Sequence, residues 1–232
     1  MNFRKSSKIE VIKPRETTRE TTRPQHRGAE ILKIGLTGGI ASGKSLAREY
    51  LKAAGIPTID ADDIVHQMLA HDENLKRNIR QHFGDGVFFA DGTVNRKELG
   101  HVVFANPEEK KLLESWIHPK TREGIVTFFH NEIEKGELAA VAIIPLFFES
   151  SLEPLYDTVW LLHATPDQQL ERLMRYRQMS EQEARQRIDS QFSYEEKLKR
   201  LKQCPQWEVL DNTGTPEALT VQLQRLINKV KS

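Results

Sequence analysis

The run Gly38-Gly-Ile-Ala-Ser-Gly43-Lys44-Ser45 constrains this chain more than any other feature. It matches G-x-x-x-x-G-K-[ST], a pattern with chemical meaning only when a strand precedes it and a helix follows. Both flanks are present. Ile31-Leu-Lys-Ile-Gly-Leu-Thr37 reads as a buried strand, and Ser45 to Ala54 places apolar residues at helical spacing: Leu46, Ala47, Tyr50, Leu51 and Ala54. Gly55 stands where a helix ends, and Ile56-Pro-Thr-Ile59 gives a second strand that stops at Asp60. The N–H groups of such a loop, together with the helix N-terminus, form a concave site for phosphate oxygens. Lys44 is then placed for β- and γ-phosphates, and the Ser45 hydroxyl for Mg²⁺.

The rest of the chain extends this βαβ unit. Ala139 to Phe148 and Thr158-Val-Trp-Leu-Leu162 are apolar without alternation, the pattern of strands covered on both faces. The expected fold class is therefore α/β, a doubly wound, three-layer parallel sheet of the P-loop type. Thr165-Pro166 and Thr215-Pro216 pair an N-cap with Pro at the first helical position. Ser180 with Glu183 and Ser193 with Glu196 are capping boxes, predicting short charged helices at about 180–190 and 193–202. Residues 66–135 read mostly helical, broken at Gly84-Asp-Gly86 and Asp91-Gly92, with His118-Pro119 ending one helical stretch; they form an insertion between strands.

At 232 residues the chain holds one large domain with insertions. Net charge is +1, which argues against a strongly basic nucleic-acid binder. The first 30 residues carry eight Lys or Arg against four Glu, so the remainder, with 26 basic and 29 acidic residues, is mildly acidic. That segment repeats Arg-Glu-Thr-Thr from Arg15 and Arg19 without hydrophobic periodicity and predicts a disordered extension at 1–30. Its glutamates count against a transit peptide. Cys204 is the single cysteine and can build neither an intramolecular disulfide nor a multi-cysteine zinc site. With no apolar run of membrane-spanning length and no secretory leader, the expectation is a cytoplasmic protein without a membrane partner.

Asp60 and Asp62 follow the second strand, at the sheet edge where open parallel sheets bind ligands. Asp62 could accept a proton from an attacking hydroxyl, and either carboxylate could instead cap the next helix. No H-E-x-x-H spacing occurs among the eight histidines, which leaves metalloprotease chemistry without support. Asn228-Lys-Val-Lys231 lacks the Asp of the N-K-x-D element that a GTPase switch uses.

Taken together these residues resemble the dephospho-coenzyme A kinase family, from Ile31 to about Ile227. The shared segments are Gly35 to Ser45, Ile59-Asp-Ala-Asp62, Phe83-Gly-Asp-Gly86, Asp91-Gly92 with Arg96, His118-Pro119, Pro145-Leu-Phe-Phe-Glu149, Gln169-Leu-Glu-Arg172, Arg187-Ile-Asp-Ser-Gln191 and Leu210-Asp-Asn-Thr-Gly214. The resemblance implies ATP-dependent phosphorylation of the ribose 3′-hydroxyl of dephospho-coenzyme A, the last step of coenzyme A biosynthesis, with ATP and Mg²⁺ required. It also implies a core at about 31–65, 136–171 and 203–232, an acceptor-binding insertion at about 66–135 and a lid at about 172–202. For site residues it implies Asp62 as base and Lys44 with a lid arginine at the phosphates. Nucleotide contacts would come from Gly38, Gly39, Ile40, Ala41, Ser42, Gly43, Lys44, Ser45, Leu46 and Asn212, with Asn212 near the adenine. Acceptor contacts would come from Asp62, His66, Arg96, His118, Pro145, Leu146 and Glu149. The lid position expected to hold Arg is Tyr176 here, so Arg175 and Arg177 compete and Arg177 is preferred. Ile143 and Ile144 stand where the family often has an Asp, which leaves the metal to Ser45. A small P-loop kinase acting on a nucleoside monophosphate is the alternative.

Overall fold

β1 (Leu32–Gly38) takes the centre of the sheet because both of its neighbours are as apolar as it is. The structure is a computed structural model that describes residues 31–231; the predicted extension at 1–30 lies outside them. The strands β1, β2 (Thr58–Asp60), β3 (Ala139–Ile143), β4 (Thr158–His163) and β5 (Trp207–Asp211) are all parallel, in the order β2-β3-β1-β4-β5. Leu36 pairs with Ile143 on one side and with Trp160 on the other. The helices are α1 (Lys44–Ala53), α2 (Ala61–His71), α3 (Glu73–Phe83), α4 (Arg96–Ala105), α5 (Pro107–Glu134), α6 (Pro166–Arg177), α7 (Glu181–Asp189), α8 (Tyr194–Leu201) and α9 (Pro216–Lys231). Among the described residues no helix is long and apolar enough to cross a membrane.

Strand residues alternate between two cores, which is why their runs are continuously apolar. Ile34, Leu36, Val141, Ile143, Trp160 and Leu162 meet Ala47 and Leu51 of α1 and Leu219 and Leu223 of α9. Ala140, Ala142, Val159 and Leu161 face the other way, against Ile125 and Phe129 of α5 and Leu201 of α8. The segment between β2 and β3 has its own small core, including Leu75, Ile79, Leu99 and Leu113. The chain leaves β1 toward the first face through α1 and leaves β3 toward the second. This divergence opens a crevice beyond the carboxyl ends of β1 and β3, the place where doubly wound sheets bind ligands.

The predicted local signals hold where they are chemically explicit. The caps at Thr165, Ser180 and Ser193 are reciprocal capping boxes. Gly55 closes α1: its N–H donates to Lys52 O (3.0 Å) and that of Ile56 to Leu51 O (2.9 Å). Two expectations need correction. The apolar run from Ala139 is a strand only to Ile143, because Pro145 has no N–H for the ladder and turns the chain. Phe147 and Phe148 then pack from this turn, fully buried, with Phe147 and Tyr156 rings 5.1 Å apart. A Cβ on Gly35 would lie 2.6 Å from the Phe147 ring, so the central strand carries no side chain there. His118-Pro119 does not end a helix, since α5 continues through Pro119 to Glu134. The lost hydrogen bond is offset by burial of Leu113 before the proline and of Ile125 and Phe129 after it.

Because Phe147 fills the centre of the second core from a turn, Phe147→Ala should destabilise the protein by about 3–5 kcal/mol in denaturant unfolding. A loss below about 1 kcal/mol would contradict this packing.

Candidate active site

Every helix from α2 to α9 starts under a side-chain oxygen: Asp60, Asp72, Asn95, Asn106, Thr165, Ser180, Ser193 and Thr215 in turn. α1 does not. It starts at Gly43 (φ 107°) with no side-chain cap, which leaves its first-turn N–H groups and the positive end of its dipole for an anion. The loop is shaped from below. Asn212 is buried and donates its amide to Ser42 O (2.8 Å), so close that a Cβ on Gly43 would lie 2.2 Å from its Nδ2. Arg172 of α6 donates to Ala41 O (3.1 Å) and Asn212 O (2.9 Å), tying both segments together. Gln191 accepts from the Ile40 N–H (2.8 Å), and Lys44 Nζ rests on Gly38 O (2.8 Å) and Gly39 O (2.9 Å).

The two carboxylates after β2 divide their work. Asp60 accepts from the Asp62 N–H (3.0 Å) as the cap of α2, and Arg48 of α1 pairs with Asp60 (3.4 Å) and, more closely, with Asp63. Asp62 is thereby presented exposed on the first turn of α2, in the lining of a cavity of about 440 Å³. The cavity runs between α2, α5 and the turn after β3, and its lining also includes His118, Pro145, Leu146, Arg122, Ile125 and Tyr156. Burial pushes the Lys44 ammonium down to about 8, helped by the positive charges of Lys197 and Arg177, while Asp62 and Asp60 oppose that shift. Lys44, Asp62, Arg177 and Lys197 therefore share one electrostatic neighbourhood. Burial also pushes the Asp60 carboxyl up.

Comparison with known proteins identifies the family. A family model described as dephospho-CoA kinase matches residues 32–217. The dephospho-CoA kinase of Bacillus cereus is 41% identical over 84% of this chain and 96% of its own length. That of Thermosynechococcus vestitus is 38% identical over 85% and 94%. The solved structure of dephospho-CoA kinase from Campylobacter jejuni, 27% identical, superposes with a TM-score of 0.60 and covers 87% of this chain and 98% of that one. This chain belongs to the dephospho-CoA kinase family. It is a kinase of coenzyme A biosynthesis, and ATP is the phosphoryl donor of that family.

Around this kinase site the remaining candidates separate. Arg177 stands within electrostatic reach of Lys44, whereas Arg175 pairs with exposed Glu171 (3.9 Å) and lies over the Tyr176 ring. His66 and Arg96 are exposed, on α2 and at the start of α4, outside the cavity lining. Glu149 points away from the cavity and accepts from the Phe192 N–H (3.0 Å). Asn212 spends its amide beneath the loop, on Ser42 O. Sequence reasoning missed Arg48, the loop clamps Arg172 and Gln191, and Lys197. The segments Gln169 to Arg172 and Arg187 to Gln191 carried a signal for two of them; Lys197 sits in a charged helix that reads as solvated.

With Lys44 half-titrated near pH 8, it is an ammonium below that value and a neutral amine above it. ATP affinity, measured by equilibrium titration, should fall about tenfold from pH 7 to pH 9 as this one charge is lost. A flat profile across that range would contradict the placement of Lys44.

Proposed function

We propose that the chain transfers the terminal phosphoryl group of ATP to the ribose 3′-hydroxyl of dephospho-coenzyme A with Asp62 as the base, giving coenzyme A and ADP. The observation that carries this reading is the position of Asp62, which lines the acceptor cavity and acts electrostatically on Lys44 of the phosphate loop. Asp62 takes the hydroxyl proton as the acceptor oxygen bonds to the γ-phosphorus. The bond from that phosphorus to the β–γ bridging oxygen breaks, and ADP leaves. The α1 N-terminus, Lys44 and Arg177 stabilise the charge that spreads over the transferred group.

The Mg²⁺ that such a transfer uses would be held by the Ser45 hydroxyl, next to Lys44 at the start of α1. Among the described residues no cluster of three or more His, Cys, Asp or Glu could hold an ion unaided. That donor set suits a cation that keeps its waters and leans on substrate phosphates. When bound, it would neutralise charge on the β- and γ-oxygens.

The cavity supports the acceptor assignment over a nucleoside monophosphate. Its lining includes apolar side chains, Ile125, Phe129 and Leu155 among them, together with Arg122, His130 and Lys33. An acceptor that carries a diphosphate and a long pantetheine arm, with methylene and methyl groups between its amides, would use more of those walls than a nucleoside monophosphate. The division into core, acceptor insertion (about 66–135) and lid (about 172–202) belongs to this proposal, as does a cytoplasmic setting. A lid closing with Arg177 would exclude water from the activated phosphate.

The test is ADP release with ATP and Mg²⁺ in the presence of dephospho-coenzyme A, adenosine monophosphate or no acceptor. Release should require dephospho-coenzyme A and give a product with the mass of coenzyme A. Turnover only with adenosine monophosphate, or hydrolysis without acceptor, would overturn the assignment.

A further inference from the structure

Lys197 is a charged residue in an apolar position. It shares the inward face of α8 with Leu201, four residues on, and its side chain is 3% exposed. An ammonium withdrawn from water to this degree requires compensation from partners. The partners present are incomplete. Lys197 Nζ donates to Phe192 O at 2.8 Å and stands 3.5 Å from Glu149 Oε1. That same oxygen already accepts from the Phe192 N–H, while Glu149 Oε2 is buried without a hydrogen bond. Two of the three donors of the ammonium are accounted for by the protein, the second at long range.

The third is left for a ligand. Lys197 lines a second cavity, of about 700 Å³, whose wall also includes Gly39 of the phosphate loop and Gln191, the residue that accepts from the Ile40 N–H. The Lys197 charge is strong enough at Lys44 to be the leading electrostatic cause of that residue's lowered pKa. Lys197 and Arg177 therefore each repel Lys44, which is itself buried. Such an arrangement becomes favourable when a polyanion sits among the three.

We propose that Lys197 is a phosphate-contacting residue of this kinase, holding the terminal phosphate of bound ATP together with Lys44 from a fixed position at the base of α8. Glu149 is then its positioning residue: one carboxylate oxygen holds both the Phe192 backbone and the Lys197 ammonium, and so sets where the charge stands. Arg177, at the end of α6, and Lys197 both fall within the predicted lid, about 172–202, but they are anchored differently. Lys197 is fastened to the sheet, because α8 buries Leu201 in the core beneath β4. This rests on the kinase reading, but its readout is nucleotide binding without acceptor.

The experiment is equilibrium binding of ATP and of ADP, each with Mg²⁺, to the wild-type protein, to Lys197→Met and to the double variant Glu149→Gln, Lys197→Met, with thermal unfolding alongside. Methionine keeps the length of the stem, and the double variant leaves no unpaired buried carboxylate. A contact to the terminal phosphate should weaken ATP binding about tenfold or more, as expected for a charge-assisted hydrogen bond, and leave ADP binding within about twofold. Equal weakening of both nucleotides, or of neither, in a folded variant would overturn the proposal and make Lys197 a structural partner of Glu149. Failure of the double variant to fold would overturn it equally, by making the pair a requirement of the core. Preferential loss of ATP binding in a chain that phosphorylates no dephospho-coenzyme A would leave the Lys197 assignment intact and remove the acceptor assignment.

Discussion

The uncapped N-terminus of α1 is the constraint on which the rest of the site depends. A helix that begins without a side-chain oxygen leaves its first-turn N–H groups unsatisfied, and here the glycines that shape the loop also keep any side chain from satisfying them. The loop cannot hold that form by itself, since its glycines gain little from packing and lose much conformational freedom. Asn212 and Arg172 supply the support from beneath, gripping Ser42 O and Ala41 O from just past β5 and from the middle of α6. A phosphate group is then the cap that α1 lacks, and its binding free energy acts on a loop already in place.

The same economy governs the carboxylates. Asp60 is consumed as a helix cap and, with Asp63, by Arg48, so that Asp62 remains the acidic group of this trio exposed toward the acceptor cavity. Positive charge is concentrated in Lys44, Lys197 and Arg177; burial lowers the Lys44 pKa most, and the charges of Lys197 and Arg177 lower it further. The sheet makes this meeting possible. Chain departures to opposite faces after β1 and β3 bring the phosphate loop and the turn at Pro145 to either side of one crevice, with the N-terminus of α2 beside them.

Much of this was legible in the sequence because the signals are local. The phosphate loop, the capping boxes at Ser180 and Ser193 and the Gly55 stop each lie within a few residues of the bonds they form. Misreadings arose where a distant contact overrides a local preference. Pro119 should break a helix, yet α5 is held along its length by the two cores it touches. Phe147 and Phe148 extend an apolar run beyond the end of its strand because a turn can bury them as well as a sheet can. The tasks of Asn212, Arg172 and Gln191 are invisible in the sequence, since their partners lie 170, 131 and 151 residues away. Lys197 is hidden for a further reason: in a helix with so many charged residues, nothing in the local pattern marks which lysine faces inward.

The central claim is that Asp62 performs the chemistry while the phosphate loop performs the binding, and Asp62→Asn separates the two with a near-isosteric change. Single-turnover transfer from ATP to dephospho-coenzyme A, measured beside the ATP dissociation constant, tests it most directly. The account predicts ATP binding within about twofold of wild type and transfer reduced about 10²–10⁴-fold, the range for loss of a general base. Transfer at the wild-type rate in the folded variant would contradict it.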